Sequence, residues 1–212
     1  MTSVKRSYHA PSRDAAAEET RRAIIRAAAE LFLAQGYVQT TVAQIAERAK
    51  VSRPTVFAVG SKTDLFALVR DQTIAGDEAP VPMIERRSWR RLLAAPDQHG
   101  TLRAYAKHSA DINRRYAPLH EVLRRSAAAA PEMAELYERS ERERRVGVTA
   151  VLNDVRGKGA LAVAFESAVD IVWVLNATDN YYRLVHDRDW PHARYQRWLA
   201  EAMIAALVHK SG

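Results

Sequence analysis

The chain has 212 residues, a net charge of +7, a pI near 9.9, 48% hydrophobic and 27% charged residues, and no cysteine. These values exclude a disordered chain, disulfides, thiolate metal sites and a cysteine nucleophile, and eight Gly and eight Pro are few for an all-β protein. The positive excess favours a polyanionic partner, whether DNA, RNA or an anionic membrane, without choosing among them.

Residues 1–17 are polar, basic and without period, and read as a flexible arm. No secretory signal is visible there, and the longest apolar stretches, 146–152 and 169–175, are too short to span a bilayer. The expectation is a soluble, cytoplasmic protein with no membrane partner. From 18 to 35 apolar residues recur at helical spacing (Ile24, Ala28, Leu31, Phe32), and Gly36 is placed to stop the helix. Thr41 followed by Gln44 predicts a capping box opening a second helix, with Ile45, Ala46 and Ala49 on its inner face. After a break at Lys50 and Val51, Ser52 is placed as N-cap of a short third helix that carries Pro54 in its first turn and Val56 and Val59 inward. Ser61 caps a fourth helix, from Lys62 to about Thr73, with Leu65, Phe66 and Val69 facing inward. Residues 75–82 read as a linker. Helical segments follow at roughly 84–95, 98–115, 118–129, 132–155, 162–186 and 191–209, separated by Pro96, Pro118, Pro131, Pro191 and a loop at 156–159.

The second and third helices fit a helix-turn-helix. Small Ala46 sits where the helices would cross, and Ile45, Ala49, Val51, Val56 and Val59 line the contact. Residues 18–66, through AAAELFLAQGY, TTVAQIAERAKVSRPTVF and SKTDLF, resemble the N-terminal domain of the TetR/AcrR family. The last fifty residues, with VDIVWVLNAT and DWPHARYQRWL, resemble the closing helices of such proteins less specifically. Three departures stand out. Lys50 fills a turn position where the family often has Gly, Phe57 stands where Tyr is usual, and 58–60 is about one residue short.

The resemblance implies an all-α protein, with an N-terminal three-helix helix-turn-helix domain at 18–65 and a C-terminal helical ligand-binding and dimerisation domain at 66–212. On DNA, Arg53 is expected to read a base edge, since its guanidinium matches the acceptors of guanine, or to touch phosphate. Thr55 and Pro54 would add methyl or apolar contacts, and Phe57 would pack on sugar or backbone or join the core. Thr41, Gln44, Ser52 and Lys62, at helix N-termini, would position phosphates. The closing helices carry apolar faces (Val169, Val172, Trp173, Leu175; Trp198, Leu199, Met203, Ala206, Leu207), and the resemblance implies that they pair with their copies in a homodimer on a palindromic double-stranded operator, with an ordinary intramolecular helix pair as the alternative. The family also implies a pocket for a small hydrophobic effector. Its expected lining is Trp89, Tyr105, His108, Asn113, Tyr137, Trp173, Asn176 and Asn180, each with the alternative of a satisfied core or interface residue.

No cofactor or metal is expected, because the seven His are dispersed without helical ligand spacing. The expected function is a ligand-responsive repressor. An activator or a ligand-independent DNA-binding protein of the same fold would use the same residues. An all-α enzyme is the remote alternative, since no Gly-rich phosphate loop, ligand cluster or nucleophile element is present and His108 with Asp111 is a lone i, i+3 pair. The run 142–145, interleaved with Glu141 and Glu143, reads as a solvated helix face.

Overall fold

The computed structural model describes residues 11–79 and 81–209, and these contain helices and turns with no strand. The chain forms two compact units, Met1–Val69 and Arg70–Gly212. The division falls inside the fourth helix, a few residues after the expected boundary at 65–66.

In the first unit, α1 (Pro11–Gln39) begins inside the segment read as an arm, and residues 1–10 of that segment lie outside the described residues. Its axis breaks at Gly36, whose φ of 79° is a backbone conformation that glycine adopts without a Cβ penalty. The break is held by polar side chains around it. Thr40 donates its hydroxyl to the Gly36 carbonyl at 2.7 Å, and Gln35 donates to the Gln39 carbonyl at 3.1 Å. Then come α2 (Val42–Ala49), α3 (Arg53–Val59) and α4 (Lys62–Ala75). Ile24, Ala28, Phe32, Ile45, Val56, Leu65 and Phe66 are fully buried among them. Phe32, Tyr37 and Phe66 form an aromatic knot with centroids 5.0 to 5.9 Å apart. Tyr37 is core, and its hydroxyl shares a hydrogen bond with Thr63 at 2.8 Å.

The second unit comprises a short 3-10 turn (Met83–Glu85), α5 (Arg87–Leu93), α6 (Gln98–Ala127), α7 (Pro131–Gly157), α8 (Phe165–Leu175), α9 (Thr178–Tyr181), a π turn (Tyr182–His186) and α10 (His192–Leu207). Its core runs from Trp89 and Leu92 through Leu102, Ala106, Val148, Leu152 and Val172 to Leu199, Met203 and Leu207. Within the segment read as a linker, the Arg86 guanidinium donates to Asp77 and to the carbonyls of Ala79 and Val81.

Two predicted breaks fall elsewhere. α6 runs straight through Pro118. The proline faces solvent while Tyr116, Ala117, Leu119 and Leu123 are buried, so packing offsets the lost backbone bond and water can take the released carbonyl. The expected helix 162–186 instead divides at Asn176. That side chain is drawn into the core, and its backbone carbonyl accepts from the Asn113 amide at 3.3 Å. Polar bonds from α6 and α7 hold Asn176 there and outcompete helix continuation.

Candidate nucleic-acid interface and the polar core of the second unit

The helix-turn-helix is built by short-range hydrogen bonds. Thr41 is the N-cap of α2, and the Gln44 N–H donates to its hydroxyl at 3.2 Å while the Thr41 N–H donates to the Gln44 side-chain oxygen at 2.8 Å. The Gln35 amide donates to the same oxygen at 3.2 Å, tying α1 to the cap. At the other end Lys50 is left-handed (φ 58°, ψ 42°). The Val51 N–H reaches the Ala46 carbonyl at 2.9 Å and the Lys50 N–H reaches that of Glu47 at 3.1 Å. This is a Schellman turn with lysine in the position glycine fills most cheaply, at a cost of about 1–2 kcal/mol. Buried Ile45, Ala46 and Val56, with half-buried Ala49, Val51 and Val59, close the contact as the pattern predicts.

Ser52 caps α3: the Thr55 N–H donates to its oxygen at 3.3 Å, and the two hydroxyls share a 2.7 Å bond. Arg53, Pro54 and Phe57 are exposed on the outer face of α3, with Phe57 60% accessible, so the alternative of a core role for Phe57 is set aside. Arg53 has no ion-pair partner among the described residues. The shortened 58–60 stretch closes through Gly60, where a Cβ would lie 2.7 Å from that of Asp64. That close approach lets Asp64 accept from the Ser61 N–H at 2.9 Å and from its hydroxyl at 2.7 Å, while the Asp64 N–H donates to the Ser61 oxygen. Asp64 thus completes a second capping box that sequence reading passed over, although its spacing from Ser61 equals that of Gln44 from Thr41. Lys62 holds its ammonium 4.0 Å from the Tyr37 ring centre and donates to the carbonyls of Tyr37 and Thr40 at 3.1 Å. Its charge therefore serves the α1 break, while its backbone stays at the start of α4.

In the second unit, six of the eight expected lining residues come together. Trp89 meets Tyr105 and His108 edge-on, with centroids 6.4 and 5.8 Å apart. Asn176 donates to the Tyr105 hydroxyl at 2.9 Å, and Thr178 donates to the Asn113 oxygen at 2.9 Å. Arg144 donates to the Asn176 oxygen at 2.6 Å and to the Trp173 carbonyl, lies over the Trp173 ring and pairs with Glu141. The reading of 142–145 as a solvated face is corrected for Arg144, which is one helical turn from Val148 on the buried stripe of α7. The other two expected residues lie outside this cluster. The Tyr137 ring lies tilted against His120, centroids 5.9 Å apart, and Asn180 donates to the carbonyls of Val174 and Leu175, closing the end of α8.

Burial sets the protonation of this cluster. It pushes the Tyr105 hydroxyl up to about 12, raises those of Tyr116 and Tyr195 further, and lowers His108 and His120, so all are uncharged at neutral pH. His108 does not pair with Asp111. Asp111 instead bonds His192 at 3.1 Å and Lys107 at 3.0 Å, and His192 bonds the Tyr181 hydroxyl at 3.0 Å. The apolar faces of the closing helices are largely covered within the unit: Val169, Val172, Leu199, Met203 and Leu207 are buried, and Trp173 and Trp198 half-buried. On the outer side of α10 a groove of about 590 Å³ remains, lined by Ala200, Ile204, Ala205 and Val208 and edged by His99, Arg103, Arg197 and Glu201. No helix among the described residues is long and apolar enough to cross a membrane.

Residues 24–69 match the family model "Bacterial regulatory proteins, tetR family". The chain is 41% identical over 66 residues to the HTH-type transcriptional regulator HbdR of Aromatoleum sp. (strain CIB), a match covering 31% of this chain and 29% of HbdR. It is 40% identical over 65 residues to the HTH-type regulator YdeS of Bacillus subtilis (strain 168), covering 31% of this chain and 33% of YdeS. The chain thus spans no more than about a third of these relatives' lengths. Across nearly the full length, the solved SmeT–triclosan complex shares the fold, with a TM-score of 0.68 at 18% identity over 91% of this chain and 93% of SmeT. Through residues 24–69, the chain is similar to the bacterial regulatory proteins of the tetR family.

Proposed function

We propose that the protein is a transcriptional regulator that occupies a palindromic DNA operator as a homodimer and releases it when a small effector binds the second unit. The observation that carries this reading is α3: a short helix with Val56 buried beneath it, capped at Ser52, and presenting exposed Arg53, Pro54 and Phe57. Such a helix fits a major groove, where Arg53 reaches guanine acceptors while the N-termini of α2 and α4 position phosphates. Phe57, lacking a hydroxyl, packs on sugar rather than donating to phosphate. Lys62 contributes through its place at the helix start, because its ammonium is engaged internally.

Two recognition helices read a palindrome when a second copy sits against the first, and the groove on the outer side of α10 is the face we assign to that copy. The polar cluster around Asn176 is the effector region, and SmeT, of the same fold, is a triclosan complex. A repressor acts by occupancy alone, which requires nothing beyond these parts, and a DNA-binding regulator of this kind works in the cytoplasm.

The test is titration of the full chain against DNA from upstream of its own gene, at two salt concentrations, with unrelated DNA as competitor. We expect retention that survives competitor and weakens with salt, and we expect Arg53→Ala to lose about 1–3 kcal/mol of sequence preference while keeping most non-specific affinity. Equal retention of both DNAs by the unaltered chain would overturn the reading.

A further inference from the structure

The cap that opens α2 engages more than its own two residues. The Gln44 side-chain oxygen accepts three hydrogen bonds, from the Thr41 N–H at 2.8 Å, the Thr41 hydroxyl at 3.1 Å and the Gln35 amide at 3.2 Å. A backbone N–H only donates, so the first of these fixes which end of the Gln44 amide faces the cap. Gln35 is fixed in the same way, because its amide also donates to the Gln39 carbonyl at 3.1 Å, and a carbonyl only accepts. The Gln44 oxygen is therefore spent, and its NH2 group is turned away from the cap. Among the described residues that NH2 group has no hydrogen-bond partner.

This orientation narrows what Gln44 can do on DNA. A glutamine amide reads adenine by donating and accepting together, and with its oxygen engaged Gln44 cannot make that pair. It offers two N–H donors instead, which suit a phosphate oxygen or the N7 and O6 acceptors of guanine. Gln35 is exposed, so its bonds organise the surface rather than the core. One amide joins the carbonyl that ends α1 to the side chain in the first turn of α2. Without it, Thr41 still caps α2, but the Gln44 amide loses its tie to α1.

We infer that Gln35 is a positioning residue for DNA recognition, holding the Gln44 amide with its two N–H groups outward as a donor-only contact to an acceptor on the DNA. This rests on the reading of the first unit as a DNA-binding head, and it adds to that interface a residue outside the helix-turn-helix and a direction for the Gln44 contact.

The test uses the full chain, DNA from upstream of its own gene and unrelated DNA. Affinity is read by fluorescence anisotropy at two salt concentrations, and folding by circular dichroism. Gln35→Ala is expected to weaken DNA binding about three- to tenfold. In a Gln44→Ala background the same change should weaken it no further, because Gln35 acts through the Gln44 amide. Gln44→Ala also removes half of the cap, so Gln44→Glu serves as a second variant. Its carboxylate accepts the same bonds but presents no N–H, so the chain should stay folded and bind DNA about tenfold or more weakly. Loss on both DNAs alike identifies a phosphate acceptor, and loss on the upstream DNA alone identifies a base; either supports the outward donors. Equal weakening by Gln35→Ala in both Gln44 backgrounds makes Gln35 a brace of α1 alone and overturns the inference. So does full affinity of Gln44→Glu at the higher salt, where a bare added charge is screened. If the unaltered chain holds both DNAs equally, the DNA-binding reading falls and this inference with it.

Discussion

Replacing Lys50 by glycine should stabilise the first unit. Lys50 holds φ 58° and ψ 42°, where a Cβ crowds the following carbonyl at a cost of about 1–2 kcal/mol. Glycine removes that cost but gains about 0.5–1 kcal/mol of entropy in the unfolded chain, so the net gain is about 0.5–1 kcal/mol. Little else changes, because the Lys50 side chain is exposed and has no ion-pair partner among the described residues, and the two Schellman bonds use backbone atoms only. Urea unfolding of the full chain is the assay. Amide exchange at 45–56 assigns the transition to the first unit, since a chain of two units need not unfold in one step. Lys50→Asn, which tolerates the left-handed region, should gain less, and Lys50→Ala should gain nothing. A Lys50→Gly midpoint at or below that of the unaltered protein, with exchange at 45–56 no slower, would refute the assignment of strain to this turn.

The reciprocal cap at the start of α2 should be cooperative. Thr41→Ala and Gln44→Ala are each expected to cost about 1 kcal/mol in urea unfolding, and the double variant less than their sum, because each side chain serves the other's backbone. The second unit should weaken on mild acidification. Burial lowers His108 and His120 below their ordinary value of 6.5, so both fold uncharged; stability is full above pH 6.5 and falls as the pH drops below it, by at most about 1.4 kcal/mol per pH unit for each histidine. His120→Gln should flatten that slope in thermal melts between pH 7 and 5. The lowered carboxyls of Asp77, Asp111 and Glu121 act in a lower window, where stability present above their ordinary values is lost as pH falls through the shifted ones. At Arg70, only 4% exposed and bonded to Asp71, Ser140 and Glu143, Arg70→Ala should cost about 2 kcal/mol in unfolding of the second unit, since its half-exposed partners can return to water. Glu143→Gln should cost less than about 1 kcal/mol, because Asp71 and Ser140 still hold the guanidinium.

Much of the first unit was legible in residue order because its devices are local. Gly36 breaks a helix, Thr41 and Ser52 cap the next two, and the spacing of Ile45, Ala46 and Val56 aligns their inner faces, all within a few residues and hence independent of the distant chain. The exposure of Arg53 and Phe57 follows from the same period, since Val56 occupies the buried side of α3. What the local pattern missed here was a side chain's second use. Lys62 looks like a cation at a helix start, yet the break at Gly36 brings two carbonyls to its ammonium.

The second unit was decided by contacts between segments far apart in the chain. Pro118 reads as a helix stop, but burial of Tyr116, Ala117 and Leu119 on the opposite face of α6 outweighs the single lost bond. Asn176 sits in a run with full helical period, and only the approach of Tyr105, Asn113 and Arg144 from two other helices ends α8 there. Sequence by itself determined the helical class, the capped turn and the outward face of α3, because those depend on dihedral preferences and neighbours three or four residues away. Tertiary structure alone decided which polar groups of the second unit are drawn inward, because desolvation acts on whatever the packed helices enclose, whatever their order along the chain.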